Sequence, residues 1–179
     1  QPVEHAASLR LIPGLEVWRP CDTVESAMAW KMAIENRGKP SALIFTRQNL
    51  PHQARDPAQC DAIARGGYIL REAQGKIDCI MIATGSEVGL VMESAAGLQA
   101  EGIGVRVVSM PNPGLFLRQD SSYREFVLPS GQRARVAVEA GVRHYWYPFV
   151  GDKGEILGVD RFGASAPAGD LFKHFGLTV

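Results

Sequence analysis

Apolar residues fall into short continuous runs, separated by stretches with helical spacing. Leu15-Glu16-Val17-Trp18 predicts a short strand that Arg19-Pro20 ends. Val24, Ala27, Met28, Lys31 and Ile34 then mark one helical stripe, which Asn36-Arg37-Gly38 closes. Asp22 and Glu25 stand at capping-box spacing, where each side chain can accept from a free amide of the first turn. Ser41-Ala42-Leu43-Ile44-Phe45 predicts a buried strand, with Thr46-Arg47-Gln48-Asn49 at its carboxyl end. The order strand, helix, strand predicts a parallel unit. About 50 residues with one crossover are too few for a domain. This section therefore reads as the tail of a larger α/β sheet whose upstream strands are missing.

Pro51 to Pro57 is polar and bracketed by prolines, which remove backbone donors and stiffen an extended path; it reads as a linker. Beyond it the alternation resumes. Tyr68-Ile69-Leu70 is a short strand, and Cys79-Ile80-Met81-Ile82-Ala83 has the continuous apolar character of a central parallel strand. Thr84-Gly85-Ser86-Glu87 turns it into a helix running to about Ala100, closed by Glu101-Gly102. Further strands are expected at Val105 to Met110, Ala134 to Glu139 and Glu155 to Val159. Helices are expected from about Ser121 to Val127 and from Ala168 to Phe175, with a loop over Pro111-Asn112-Pro113-Gly114. This rhythm predicts an α/β fold: a three-layer αβα domain with an open, mostly parallel, doubly wound sheet, preceded by a partial α/β domain. The boundary is placed at 57/58, giving segments 1–57 and 58–179.

The chain has 179 residues, enough to bury a core. Nineteen basic residues balance nineteen acidic ones, so no one-signed field would drive non-specific nucleic-acid binding. No apolar run approaches the roughly 18 residues of a membrane span. Cys21, Cys60 and Cys79 form no CxxC pair and no zinc-ligand spacing. They read as buried reduced thiols, which points to a reducing, cytoplasmic compartment. His5, His52, His144 and His174 do not cluster in sequence either, so no metal site is signalled.

Four groups could carry chemistry. Arg47 follows a strand at the carboxyl edge of a parallel sheet, where ligands bind in this architecture and a guanidinium can hold a phosphate bidentately. The competing reading is a salt bridge. Thr84 to Glu87 could cradle an anion on helix amides, but Thr84 and Glu87 also fit a capping box, which is the better reading. Glu139 ends a strand and could act as an acid or base; nothing near it in sequence signals a shifted pKa, and a structural role is favoured. Tyr145, Trp146, Tyr147 and Phe149 read as core or subunit interface rather than as a stacking platform. There is no Walker loop, GxGxxG or nucleophile elbow.

The residues also carry a resemblance. Gln1-Pro2-Val3-Glu4, Trp18-Arg19-Pro20 and Thr46-Arg47-Gln48-Asn49-Leu50 resemble the end of the pyrimidine-binding domain of transketolases. Ala64-Arg65-Gly66-Gly67-Tyr68, Ala83-Thr84-Gly85-Ser86-Glu87-Val88, Val107-Val108-Ser109-Met110-Pro111, Val138-Glu139-Ala140-Gly141 and Phe162 to Pro167 continue the match in family order. Asn112-Pro113-Gly114 and Phe126 depart from the family pattern and put local packing in question. The resemblance is closest to bacterial transketolases and covers nearly the whole chain.

It implies a thiamine diphosphate enzyme of the pentose phosphate and Calvin pathways. Such an enzyme moves a two-carbon ketol unit from a ketose phosphate to an aldose phosphate. It works as a homodimer with Mg2+ or Ca2+ at the cofactor. The resemblance makes Arg47 the ligand of the substrate phosphate. It places the metal ligands, the glutamate that activates thiamine, and a histidine and an aspartate that contact substrate upstream of Gln1. The chain alone is accordingly expected to be inactive and to bind no cofactor. No catalytic residue is expected in it. A second reading makes the C-terminal section a non-catalytic module for dimerisation, or for a regulatory ligand seated beside Thr84-Gly85-Ser86.

Overall fold

The computed structural model describes residues 2–179; Gln1, which opens the first resemblance block, lies outside the described residues. The first section comprises α1 (His5–Arg10), β1 (Glu16–Trp18), α2 (Thr23–Glu35) and β2 (Ser41–Leu43). β1 and β2 pair in parallel with Val17 opposite Ala42, as the strand–helix–strand order predicts. β2 is shorter than expected and half-buried rather than buried. The reason is that its one partner is β1. Ile44 N–H still donates to Trp18 O at 2.8 Å, but Phe45 is 45% exposed and stacks on Trp30 of α2.

The second section adds α3 (Pro57–Ala62), β3 (Tyr68–Arg71), β4 (Cys79–Ala83), α4 (Glu87–Ala100) and β5 (Val105–Ser109). It continues with α5 (Pro113–Leu117), α6 (Ser121–Val127), β6 (Arg135–Val138), α7 (Tyr147–Val150), β7 (Glu155–Leu157) and α8 (Ala168–His174). Its five strands lie in the order β3-β5-β4-β6-β7, all parallel except β3, which runs antiparallel to β5.

Successive strand residues point to opposite faces, and the sheet uses this to build two cores. Met81 and Ala83 of β4 join Val88, Val91 and Ala95 of α4 on one face. Ile80 and Ile82 join Phe116, Val127, Trp146 and Phe149 on the other. That is the three-layer arrangement read from the sequence. The α4-side core also takes in Trp18, Cys21 and Ala29 of the first section, so apolar packing runs unbroken across the two sections.

Four helices escaped the sequence reading, one of them α7 within the aromatic stretch. α3 occupies the end of the supposed linker: Asp56 Oδ1 accepts from Gln59 N–H at 2.8 Å, and Gln59 Oε1 accepts from Asp56 N–H at 3.0 Å, with Pro57 in the first turn. That is a complete capping box. The supposed loop at Pro111 to Gly114 starts α5 instead, because Asn112 Oδ1 caps Leu115 N–H at 3.0 Å. α1 carries neither a side-chain cap nor an acidic first turn, so no local signal announces it. Conversely, the capping box expected from Thr84 and Glu87 does not form. α4 begins after Ser86 with no side-chain cap, because both expected capping residues are engaged by Arg19.

Both departures from the family pattern are accommodated. Asn112 Nδ2 donates to Glu16 Oε2 at 3.0 Å, and Phe126 stands 62% exposed.

Candidate functional site

In open α/β sheets ligands bind at the carboxyl ends of the strands, where strand order reverses. The larger sheet reverses around β4, since β5 lies on one side of it and β6 on the other. The crevice there is lined by Thr84-Gly85-Ser86-Glu87 after β4 and by Glu139-Ala140-Gly141 after β6. It is filled by arginines of the first section.

Arg19 follows β1 directly. Its backbone N–H donates to Pro111 O at 2.8 Å, and its carbonyl accepts from Gly85 N–H at 3.0 Å and Thr84 Oγ1 at 3.1 Å. Its guanidinium bonds Thr84 O at 2.7 Å, Ser86 Oγ at 3.1 Å and the Glu87 carboxylate. Gly85 sits at φ +57°, and a Cβ there would come within 2.8 Å of the Arg19 side chain. The turn is therefore moulded to this arginine. Burial alone would lower the Arg19 pKa; Glu87 and then Glu139 offset that and raise it above its ordinary value.

Arg10, at the end of α1, forks onto Glu139 with contacts of 2.7 and 2.9 Å, and its guanidinium carbon lies 4.9 Å from the Tyr145 ring centroid. Trp146 Nε1 donates to the same carboxylate at 2.7 Å, and Arg19 lies 3.5 Å from it. Glu139 does have a shifted pKa, contrary to the sequence reading. Burial opposes its ionisation, but Arg10 and Arg19 hold it below the usual carboxylate range. Two arginines and two glutamates thus form a buried, charge-balanced cluster that joins the two sections. The anion seat considered at Thr84 to Ser86 is taken by a side chain of the protein itself.

The carboxyl edge of the β1–β2 pair is different. A cleft of about 460 Å3 opens there, between Pro20, Asp22, Thr23 and Ser26 on one side and Phe45, Thr46, Gln48, Asn49 and Leu50 on the other. Arg47 is carried by the loop of the second wall, between the lining residues Thr46 and Gln48, without lining the cleft itself. It is exposed and has no hydrogen bond or ion pair to any described residue. The salt bridge weighed against a ligand role is thus absent among the described residues.

Beneath this cleft lies a second buried polar cluster. Asp22 Oδ1 caps α2 by accepting from Glu25 N–H at 3.0 Å. Glu25 Oε2 accepts from Cys21 N–H at 2.8 Å rather than from Asp22, so the expected capping box is half formed and shifted by one residue. Glu25 Oε1 accepts from Tyr68 Oη at 2.8 Å and Ser109 Oγ at 2.6 Å. Arg55 bonds Asp22, Gln53 O and Tyr68 Oη.

The remaining candidates resolve simply. Cys21 is buried, Cys60 and Cys79 are half-buried, and all three are free thiols. Burial pushes Cys21 and Cys79 up, away from thiolate reactivity. Trp146 and Phe149 belong to the core, while Tyr147 is exposed. Among the described residues no group of three or more His, Cys, Asp or Glu side chains is placed to hold a metal ion. The one carboxylate at the cleft, Asp22, is already committed to Glu25, Gln53 and Arg55. These residues do not by themselves fit a metal–diphosphate group. No helix among them is long and apolar enough to cross a membrane. Arg10, Arg19 and Arg55 gave no sequence signal, because Arg10 and Arg19 meet partners 65–129 residues away and Arg55 meets Asp22 across 33.

The architecture is thus an open α/β domain joined to a two-stranded parallel pair, with one sheet edge sealed by arginines and the other open. A family model described as the transketolase-like C-terminal domain matches residues 66–178, and one described as the transketolase pyrimidine-binding domain matches residues 1–53. The chain belongs to the transketolase family. It is 58% identical over 178 residues to transketolase 2 of Aliivibrio fischeri, covering 99% of this chain and 27% of that one. The fold matches transketolase from Leishmania mexicana with a TM-score of 0.90 at 39% identity, covering 99% of this chain and 25% of that one. It also matches a Pichia stipitis transketolase in complex with sedoheptulose 7-phosphate, with a TM-score of 0.89 at 38% identity and the same coverage. The chain therefore spans about a quarter of the length of these relatives.

Proposed function

We propose that this chain is the substrate-phosphate-binding and C-terminal part of a thiamine diphosphate-dependent ketol transferase, with Arg47 as the phosphate ligand. The observation that carries this is the exposed Arg47, without a hydrogen bond or ion pair among the described residues, on a loop whose Thr46 and Gln48 line an open cleft at a parallel sheet edge. A planar, permanently charged fork suits a phosphate dianion. The neighbouring Pichia protein that holds a sugar phosphate supports the same substrate class.

Thiamine diphosphate with Mg2+ or Ca2+ would supply the carbanion chemistry in the intact enzyme, and the pyrimidine-binding description supports that cofactor. The residues here supply positioning: Arg47 holds the phosphate end, so that the distant carbonyl is presented in one orientation. We place the boundary between the two segments at 57/58. The chain alone is read as inactive, the intact enzyme as a cytoplasmic homodimer acting on sugar phosphates, without nucleic-acid or membrane partners.

The test is steady-state kinetics of the full-length protein with thiamine diphosphate and Mg2+. Arg47→Ala should raise KM for a ketose phosphate by about tenfold or more, the worth of a charge-assisted contact. It should leave KM for an unphosphorylated ketol donor unchanged. Equal KM values for both proteins with the phosphorylated donor would remove Arg47 from this role.

A second reading, a regulatory ligand at Thr84 to Ser86, is disfavoured by Arg19, which occupies that turn.

A further inference from the structure

Arg47 has no side-chain partner among the described residues, so its aim is set by the backbone of the loop that carries it. That loop runs from Ile44 to Gln53 and is held at its two ends by different means. At its entry, Ile44 N–H donates to Trp18 O at 2.8 Å, which continues the β1–β2 ladder by one residue. Inside it, Thr46 Oγ1 donates to Gln48 O at 3.2 Å. At its exit, Gln53 N–H donates to Asp22 Oδ2 at 3.0 Å. Arg55 Nη1 then clasps Asp22 Oδ2 at 2.6 Å and Gln53 O at 2.7 Å. The Arg55 and Asp22 side chains are 1% and 2% exposed, so this clasp is shielded from water. Pro51 is held from the other side, where a Cβ on Gly89 of α4 would come within 3.1 Å of its ring.

Asp22 therefore does two jobs with two oxygens. Oδ1 caps α2, and Oδ2 closes the far end of the loop. The same residue lines the cleft opposite the loop, so it ties one wall to the other. Burial is offset by Arg55 and by the Gln53 and Glu25 amides, which together hold the carboxyl below its ordinary range and keep it ionised.

We propose that Asp22, clasped by Arg55, is a positioning residue that fixes the loop carrying Arg47 beside the cleft and thereby the fit of a phosphorylated sugar. This rests on the reading of Arg47 given above.

The two jobs can be separated. Serine is as good an N-cap as aspartate, and its single short oxygen can serve Glu25 N–H but not Gln53 N–H. In the full-length holoenzyme, Asp22→Ser should raise KM for a ketose phosphate about tenfold, since a displacement near 1 Å is costly to a fixed contact. Values of kcat and KM for an unphosphorylated ketol donor should stay within about twofold. On an Arg47→Ala background the same substitution should add less than about twofold, because the residue through which it acts is gone. Arg55→Lys, which keeps the charge but loses the fork, should show the same split in smaller degree and serves where Asp22→Ser does not fold. Equal losses for both donors, full additivity with Arg47→Ala, or unchanged KM values would each overturn the proposal. If Arg47→Ala itself leaves the phosphorylated donor unaffected, the phosphate reading falls. If Arg47→Ala behaves as expected and Asp22→Ser does nothing, only the positioning role falls.

Discussion

Arg19 and Arg47 occupy similar places in the chain and opposite states in the fold. Each follows a strand of the β1–β2 pair at its carboxyl end. Arg19 is locked into the larger sheet, where Thr84, Ser86, Glu87 and Glu139 satisfy it. Arg47 is exposed on the loop beside an open cleft, with no hydrogen bond or ion pair among the described residues. A guanidinium at a sheet edge is therefore not a ligand site by virtue of position. It is available to a ligand only where the rest of the chain leaves its charge uncompensated. The larger domain has the crevice that its fold class offers to ligands, yet spends it on joining the two sections. The smaller section, with two strands among the described residues, keeps an open edge.

The sharpest way to break this contrast is to remove a carboxylate from the sealed crevice. Glu139→Ala leaves Arg10 buried and unpaired and takes one of the two carboxylates from Arg19. It should destabilise the protein by about 3–5 kcal/mol, as expected for breaking a buried ion pair from one side. Urea unfolding followed by tryptophan fluorescence measures this, since Trp146 donates to the same carboxylate. A loss below about 1 kcal/mol would show that the cluster does not hold the sections together.

A smaller effect is expected with pH. The folded pKa of Glu139 lies below its unfolded value near 4.5, and that of Asp22 below its value near 3.8. A depressed carboxyl contributes stability that is fully present above the unfolded pKa and lost as pH falls through the folded one. Unfolding free energy should therefore be flat above about pH 5.5 and fall below about pH 4.5. Glu139→Gln should make that acid slope shallower. An unchanged slope in the variant would mean that other carboxyls dominate the acid transition.

The smallest effect belongs to the open edge. Arg47→Ala removes no hydrogen bond or ion pair among the described residues, so the stability should change by no more than about 0.5 kcal/mol. A larger loss would reveal a structural partner for Arg47 and erase the distinction between the two arginines.

Much of the fold is legible locally. The run Cys79 to Ala83 is apolar throughout because β4 is covered on both faces, and its alternate residues divide between the two cores. The parallel pairing of β1 with β2 follows from one intervening helix. Capping chemistry is legible as well, but asymmetrically. Asp56-Pro57 with Gln59 forms a full box that a proline-rich composition disguised as linker, whereas Thr84 and Glu87 have box spacing and form none. Spacing states which hydrogen bonds are available. It does not state whether a distant group will compete for them, and here Arg19 takes both side chains, one through its backbone carbonyl and one through its guanidinium.

The candidate site divides along the same line. Arg47 is legible as a candidate from a strand followed closely by a cation, a feature confined to a few neighbouring residues. The pairings of Arg10 with Glu139, Arg19 with Glu87 and Arg55 with Asp22 span 129, 68 and 33 residues. No periodicity encodes them. Strands, helices and the two-faced sheet come from short-range sterics and alternation, which the order of residues specifies directly. Which charges are neutralised is a matter of three-dimensional proximity in a medium of low polarity, where an unpaired ion is expensive. That outcome exists only once the two sections have packed together, and it leaves one arginine of the pair sealed and the other open.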